Sequence, residues 1–240
     1  MAVTKYSTFD TIEELEAFEV IAGNVSEKYV PIYTSEIIKI LEPEFKFVSG
    51  EKYYNFNSAH TVFLENTDGT KIAISNSYDR TRAFSAFLVH DEIRIPLNLD
   101  RQIHLGGEAA LLTENFRENK NEFFIAIEHA KRVVKNLQDT EIPEDLKEEI
   151  VDIVYAIPKG RKAFIELDLI IADNYKSVYS FINTCISRYI SGEYNLVLEA
   201  KNKDGELIRK GSKLTSRFVK LQVTNAIYTH LFKTMPELFI

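Results

Sequence analysis

Five histidines, His60, His90, His104, His129 and His230, carry most of the acid–base and metal-binding capacity of this 240-residue chain. None stands within two to four residues of another, the spacing by which one element presents two ligands to a metal. His90 and Asp91 could form a site with His104 only if the fold brought them together. Residues 104–108 (HLGGE) put two glycines before a short helical stretch at 109–112, and free amides at such a start suit a phosphate. The phosphate-cradling Walker pattern and the dinucleotide fingerprint are both absent, so a chain-reversal loop is the simpler reading. Serine-nucleophile motifs are absent as well. The single cysteine, Cys185, falls on an apolar helical stripe, where a thiol behaves as a small hydrophobe. No catalytic residue, metal or cofactor is therefore expected; a small hydrolase or nuclease built from dispersed carboxylates and histidines ranks third among the functional readings.

Charge is more informative than any motif. The formal net charge is −7, which argues against a wholly basic nucleic-acid binder. Yet residues 79–82 (DRTR), 158–162 (PKGRK) and 201–220 (KNKDGELIRKGSKLTSRFVK) hold 12 of the 29 Lys and Arg and 3 of the 36 acids, a local +9 that leaves −16 elsewhere. Arg80, Arg82, Lys159, Arg161, Lys162, Arg209, Lys210, Lys213, Arg217 and Lys220 are the candidate phosphate contacts, with Tyr78 or Tyr53 as exposed rings for base stacking. Solvated loops would show the same charge runs. From residue 207 to 235 there is no acid at all, and cations near a helix start oppose its dipole, a cost that bound phosphate reverses.

Asn225 is the polar candidate of the last helix. Leu214, Phe218, Leu221, Asn225, Tyr228 and Phe232 fall on one stripe, and a buried amide needs hydrogen-bond partners. The expectation is a structural polar group, mostly buried and bonded to the backbone of a strand or loop, with a ligand contact as the other reading.

The elements that would position these residues follow from periodicity. Residues 11–14 (TIEE) form a capping box before a short acidic helix at 10–19, and residues 34–36 open a helix that Pro43 ends. Segments 44–48, 52–57, 59–66, 70–77, 83–90 and 93–97 are short, rich in aromatic and β-branched residues, and separated by turn signals that include Thr67, Asp68 and Gly69. Residues 70–75 (TKIAIS) alternate as a strand with one wet face. These are the strands of an antiparallel meander. From residue 115 the positions Phe116, Phe123, Ile127, Ala130, Val134 and Leu137 give a long helix, and Pro143 begins another, acidic on its outer face over residues 141–152. Residues 175–190 form a two-sided apolar helix, residues 195–200 and 206–209 a hairpin or mobile loop, and residues 213–234 the last helix. Residues 163–172 (AFIELDLIIA) fit a strand or a helix equally by period.

The expected fold is α+β: a meander over about residues 44–97 packed against C-terminal helices, in one domain of 1–240 with the helical segment 1–43 packed on it. No stretch approaches the roughly 18 apolar residues of a membrane span, and the N-terminus turns acidic before a signal-peptide core forms. With one cysteine, this fits a reducing cytoplasm.

The run KLQVTNAIYTHLF from Lys220, NSYD from Asn76 and RQIHLGGEAAL from Arg101 together resemble a phage- and plasmid-borne family of uncharacterised proteins, over about residues 50–235. In that family a late asparagine-alanine helix ends in histidine, which maps onto Asn225, Ala226 and His230. The family's arginine-rich cysteine-asparagine-glycine segment corresponds to residues 93–100 (IRIPLNLD), which lack the cysteine and the glycine. No activity is established for the family. Its members resemble mobile-element accessory proteins associated with DNA replication or recombination, and the resemblance implies that role here. The expectation is a non-enzymatic binder of nucleic acid, single-stranded by preference, acting by strand binding or annealing and assembled as a homo-oligomer that lines its cations into one groove. The alternative is a factor that binds a host or defence protein through the acidic helices.

Overall fold

The computed structural model describes residues 7–22, 32–52, 59–78, 84–97, 114, 116–156, 163–164, 175–191, 196–201, 207–212 and 217–240. The chain divides into two compact units, residues 1–90 with 95–131 and residues 91–94 with 132–240. The fold is α+β, and its largest element is a six-stranded antiparallel meander in sequence order.

The strands are β1 (Ser7–Phe9), β2 (Phe45–Lys52), β3 (His60–Asn66), β4 (Lys71–Asn76), β5 (Ser85–His90) and β6 (Ile93–Pro96). β2 continues through the break expected between residues 48 and 52, and its register with β3 shifts between Phe47 and Ser49. Register places Phe9, Gly50, Val62, Ile74 and Ala86 in one row across the sheet. A Cβ on Gly50 would lie 2.9 Å from Cδ2 of Phe9 and 3.2 Å from Cγ1 of Val62, so glycine is what lets Phe9 close over the row. The neighbouring row, Leu64, Ile72 and Leu88, is also buried and lies on the same face.

The β3–β4 turn is set by side chains. Asn66 Oδ1 accepts from the amides of Asp68 and Thr70 at 3.1 and 2.9 Å, and Gly69 turns the chain at φ +82°. Asp68 Oδ1 accepts from the Thr70 hydroxyl and amide at 2.5 and 2.8 Å, which together with Lys131 holds its carboxyl down at about 2.

Two helices precede the meander, α1 (Ile12–Ala22) and α2 (Thr34–Leu41). The start of α1 is capped much as its sequence suggests. Thr11 Oγ1 accepts from the Glu14 amide at 3.2 Å, while the Glu14 carboxylate reaches back one residue further than a capping box requires, to the Asp10 amide at 2.8 Å. Leu15, Ile37, Ile38 and Leu41 are buried. α3 (Lys120–Asp139) begins in this unit, where Phe123 and Ile127 are buried and Phe124 stacks on Phe45 with ring centroids 6.3 Å apart.

β4 corrects the expectation of a wet face. Ile72 to Asn76 are all buried, Ala73 and Ser75 included. Ala73 sits in register between Phe63 and Phe87, and the Ser75 hydroxyl lies 2.8 Å from that of Thr61, so small and hydroxylated residues fill the second face of a central strand.

The second unit contains the rest of α3, then α4 (Glu144–Ala156), α5 (Val178–Ser191), α6 (Arg217–Thr234) and a 3-10 turn, Pro236–Phe239. Its core includes Val134, Leu137, Leu146, Ile150, Phe181, Ile182, Cys185, Ile227 and Leu231. The Thr140 carbonyl accepts from the Val178 amide at 2.9 Å, and Asn136 Nδ2 donates to the Leu238 carbonyl at 3.1 Å. A three-stranded antiparallel sheet belongs to the same unit: β7 (Ala163–Phe164), β8 (Leu196–Lys201) and β9 (Leu207–Ser212). The β8–β9 pair is the hairpin expected around residues 201–205, and β7 resolves two residues of the ambiguous 163–172 run as strand.

Candidate functional site

Of the ten candidate cations, Arg80, Arg82, Lys159, Arg161, Lys162 and Lys213 lie outside the described residues, as do Tyr53, His104 and the HLGGE segment. The other four fall on two successive elements. Arg209 and Lys210 are in β9, in register with Glu199 and Leu198 of β8. Arg217 opens α6 and Lys220 completes its first turn, which contains no acid.

Tyr78 corrects the stacking expectation, because it is fully buried. Its hydroxyl donates to Glu19 Oε1 at 2.5 Å, and its ring lies 5.3 Å from His60 and 5.9 Å from Tyr33, centroid to centroid. A phenol so enclosed offers no face to a base.

Asn225 is half-buried, not mostly buried. The buried line on α6 runs through Thr224, Ile227, Tyr228 and Leu231, one residue round from the expected stripe, and Phe232 is 61% exposed. The Asn225 carbonyl accepts from Thr229 Oγ1 at 2.7 Å. His230, the terminal residue of the family-like motif, places Nε2 2.7 Å from Glu149 Oε2 and so joins α6 to α4.

Among the described residues, a dense polar constellation lies where α1, α2 and the β3 and β4 ends of the sheet meet. Glu19 projects inward one turn after Leu15, and its Oε1 accepts from the Ser35 amide at 3.1 Å as well as from Tyr78. The Ser35 hydroxyl donates to Oε2 in a very short contact. Thr34 Oγ1 lies 2.8 Å from His60 Nε2 and receives Asn76 Nδ2 at 3.0 Å; the same amide nitrogen donates to the Ile32 carbonyl at 2.8 Å. Phe18 covers the group, 5.6 Å from His60 and 6.4 Å from Tyr78, with Lys52 Nζ 4.8 Å from its own ring centroid.

Burial pushes the Glu19 carboxyl above its ordinary range, against the opposing pull of its hydrogen bonds to Ser35 and Tyr78. Burial, and then the Glu19 charge, push the Tyr78 phenol far up, so that it keeps its proton for Glu19 while its oxygen accepts from the Thr34 amide at 3.4 Å. The residue types are those of an acid–base centre. Glu19 is 2% exposed and His60 and Tyr78 are 0% exposed, and their hydrogen bonds hold α1 and α2 on the sheet.

Sequence reasoning missed Glu19 as the centre of this network. The signal was present: Leu15 and Glu19 are four apart and share a helix face. Asp91, paired in the sequence reading with His90 and His104, accepts from the Tyr179 hydroxyl at 2.6 Å in a turn where it adopts φ +50°, while His104 lies outside the described residues. Among the described residues no group of three or more His, Cys, Asp or Glu is placed to hold a metal, and no helix is long and apolar enough to cross a membrane. Comparison with protein-family models, curated proteins and solved structures finds no match to this chain.

Proposed function

We propose that this chain is a non-enzymatic accessory protein of a phage-type mobile element that binds nucleic acid through its phosphates, with single-strand binding or annealing in replication or recombination as its task. The observation that carries this reading is the β8–β9 hairpin followed by α6. Arg209 and Lys210 on the edge strand β9, then Arg217 and Lys220 in the first turn of α6, fall in a stretch of 29 residues without an acid, 207–235. Cations gathered at a helix start oppose its dipole, and a phosphate backbone offsets that repulsion. Net acidity elsewhere does not prevent this, since binding follows local charge.

Fluorescence anisotropy of a labelled single-stranded oligonucleotide tests the proposal. Binding is expected at about 50 mM salt and falls by orders of magnitude by about 200 mM, as counterion release requires. Charge reversal by Arg209→Glu with Lys210→Glu weakens it more than tenfold, on the order of 0.7 to 1 kcal/mol or more per phosphate contact. An affinity indifferent to salt or to the reversal refutes the reading.

One observation favours a protein-binding factor acting on a host or defence protein instead: Glu144, Asp145, Glu148, Glu149 and Asp152 are all exposed on α4. An acidic face of this kind imitates the charge of nucleic acid. Such a factor leaves the oligonucleotide free at every salt concentration.

A further inference from the structure

In the first unit, Glu36, Lys39 and Ile40 of α2, Arg117 in the helical turn before α3, and Lys120 at the start of α3 line a cleft of about 540 Å³. That size is within the range of small-ligand sites. Each lysine is already oriented by a carboxylate outside the lining: Lys39 Nζ is 2.6 Å from Glu16 Oε1, and Lys120 Nζ is 2.5 Å from Glu44 Oε2. An ammonium has three donors, so two remain on each. Arg117 is exposed and makes no hydrogen bond or ion pair among the described residues, which leaves its whole guanidinium fork unused.

We propose that this cleft binds a phosphate group, with Arg117 engaging two phosphate oxygens side by side and Lys39 and Lys120 donating to the remainder. The lining carries three cations and one acid. Glu16 and Glu44 cancel that excess, so selectivity comes from the planar fork of Arg117 and the two lysines that their carboxylates orient, and not from net charge. The cleft uses no residue of the β8–β9 hairpin, and the inference stands without the nucleic-acid reading. Phosphate is the shared chemistry of two sources, a small phosphorylated molecule and a nucleic-acid backbone.

Titration calorimetry of the full chain with pyrophosphate at low salt tests the site, comparing wild type with Arg117→Ala and with Arg132→Ala, an exposed arginine outside the cleft. Saturable binding is expected in the wild type, about tenfold weaker in Arg117→Ala for the loss of charge-assisted bonds, and unchanged in Arg132→Ala. No saturable binding, or equal weakening by both substitutions, overturns the proposal. Arg117 is exposed, and a circular dichroism melt checks that its variant is folded. The oligonucleotide assay separates the sources. If Arg117→Ala spares oligonucleotide binding while losing pyrophosphate, the ligand is a small phosphorylated molecule; if both fall together and the oligonucleotide displaces pyrophosphate, the site holds backbone phosphate.

Discussion

Tyr78 and Tyr228 are both buried phenols, yet only one hydroxyl is used. Tyr78 donates to Glu19, whereas the Tyr228 hydroxyl has no hydrogen-bond partner among the described residues. Tyr78→Phe should therefore destabilise by about 1 to 3 kcal/mol, because it strips a donor from a buried carboxyl, while Tyr228→Phe should be neutral or stabilising. Urea unfolding of the two variants decides it, and equal losses would mean that the Tyr228 hydroxyl is satisfied. Glu19 gives a pH dependence. Its folded pKa is raised above the ordinary 4.5, so the folded state holds the proton more tightly than the unfolded chain. Its contribution is fully present below the unfolded value and is lost as pH rises through the folded one. Glu19→Gln cannot ionise, so the stability of wild type relative to this variant should fall as pH rises above the ordinary carboxyl value of 4.5. A difference that stays flat or grows across paired unfolding curves contradicts it.

At the scale of elements, Gly69 tests how far the turn rests on backbone alone. It sits at φ +82° with nothing within 4 Å of where a Cβ would be, so Gly69→Ala meets no clash and should cost only the left-handed backbone strain, about 1 kcal/mol. A melting temperature equal to wild type would show that the turn relaxes. This turn was legible in the sequence because Thr67, Asp68 and Gly69 each have a local conformational preference. The meander strands were legible for a similar reason, since their apolar and β-branched runs are short and punctuated. β4 was misread because Ala73 and Ser75 look like surface residues, and only their neighbours in register, Phe63, Phe87 and Thr61, make that face interior. On α6 the apolar residues surround too much of the helix for period to select a face. Tyr228 belongs to both the expected stripe and the buried line, but Asn225 belongs only to the former.

Across the whole molecule, sequence reveals how much charge is present but not where a fold collects it. The windows of 79–82, 158–162 and 201–220 stood out because their cations are adjacent in the chain. Lys39, Arg117 and Lys120 did not, being 78 and 3 residues apart, and only the approach of α2 to the start of α3 assembles them. The Glu19 network escaped for the same reason, with partners 16 and 59 residues away. The sheet margin bears on how separate copies of the chain meet. β1 covers only Gly50–Lys52 of β2, and among the described residues no strand flanks the other side of Phe45–Ser49, where Val48 is 48% exposed. A straight strand with that opening would template the next molecule, and sheets would grow from chain to chain. The register shift between Phe47 and Ser49 twists the ladder at this stretch. An irregular margin of this kind is a poorer template for the strand of another copy than a straight one.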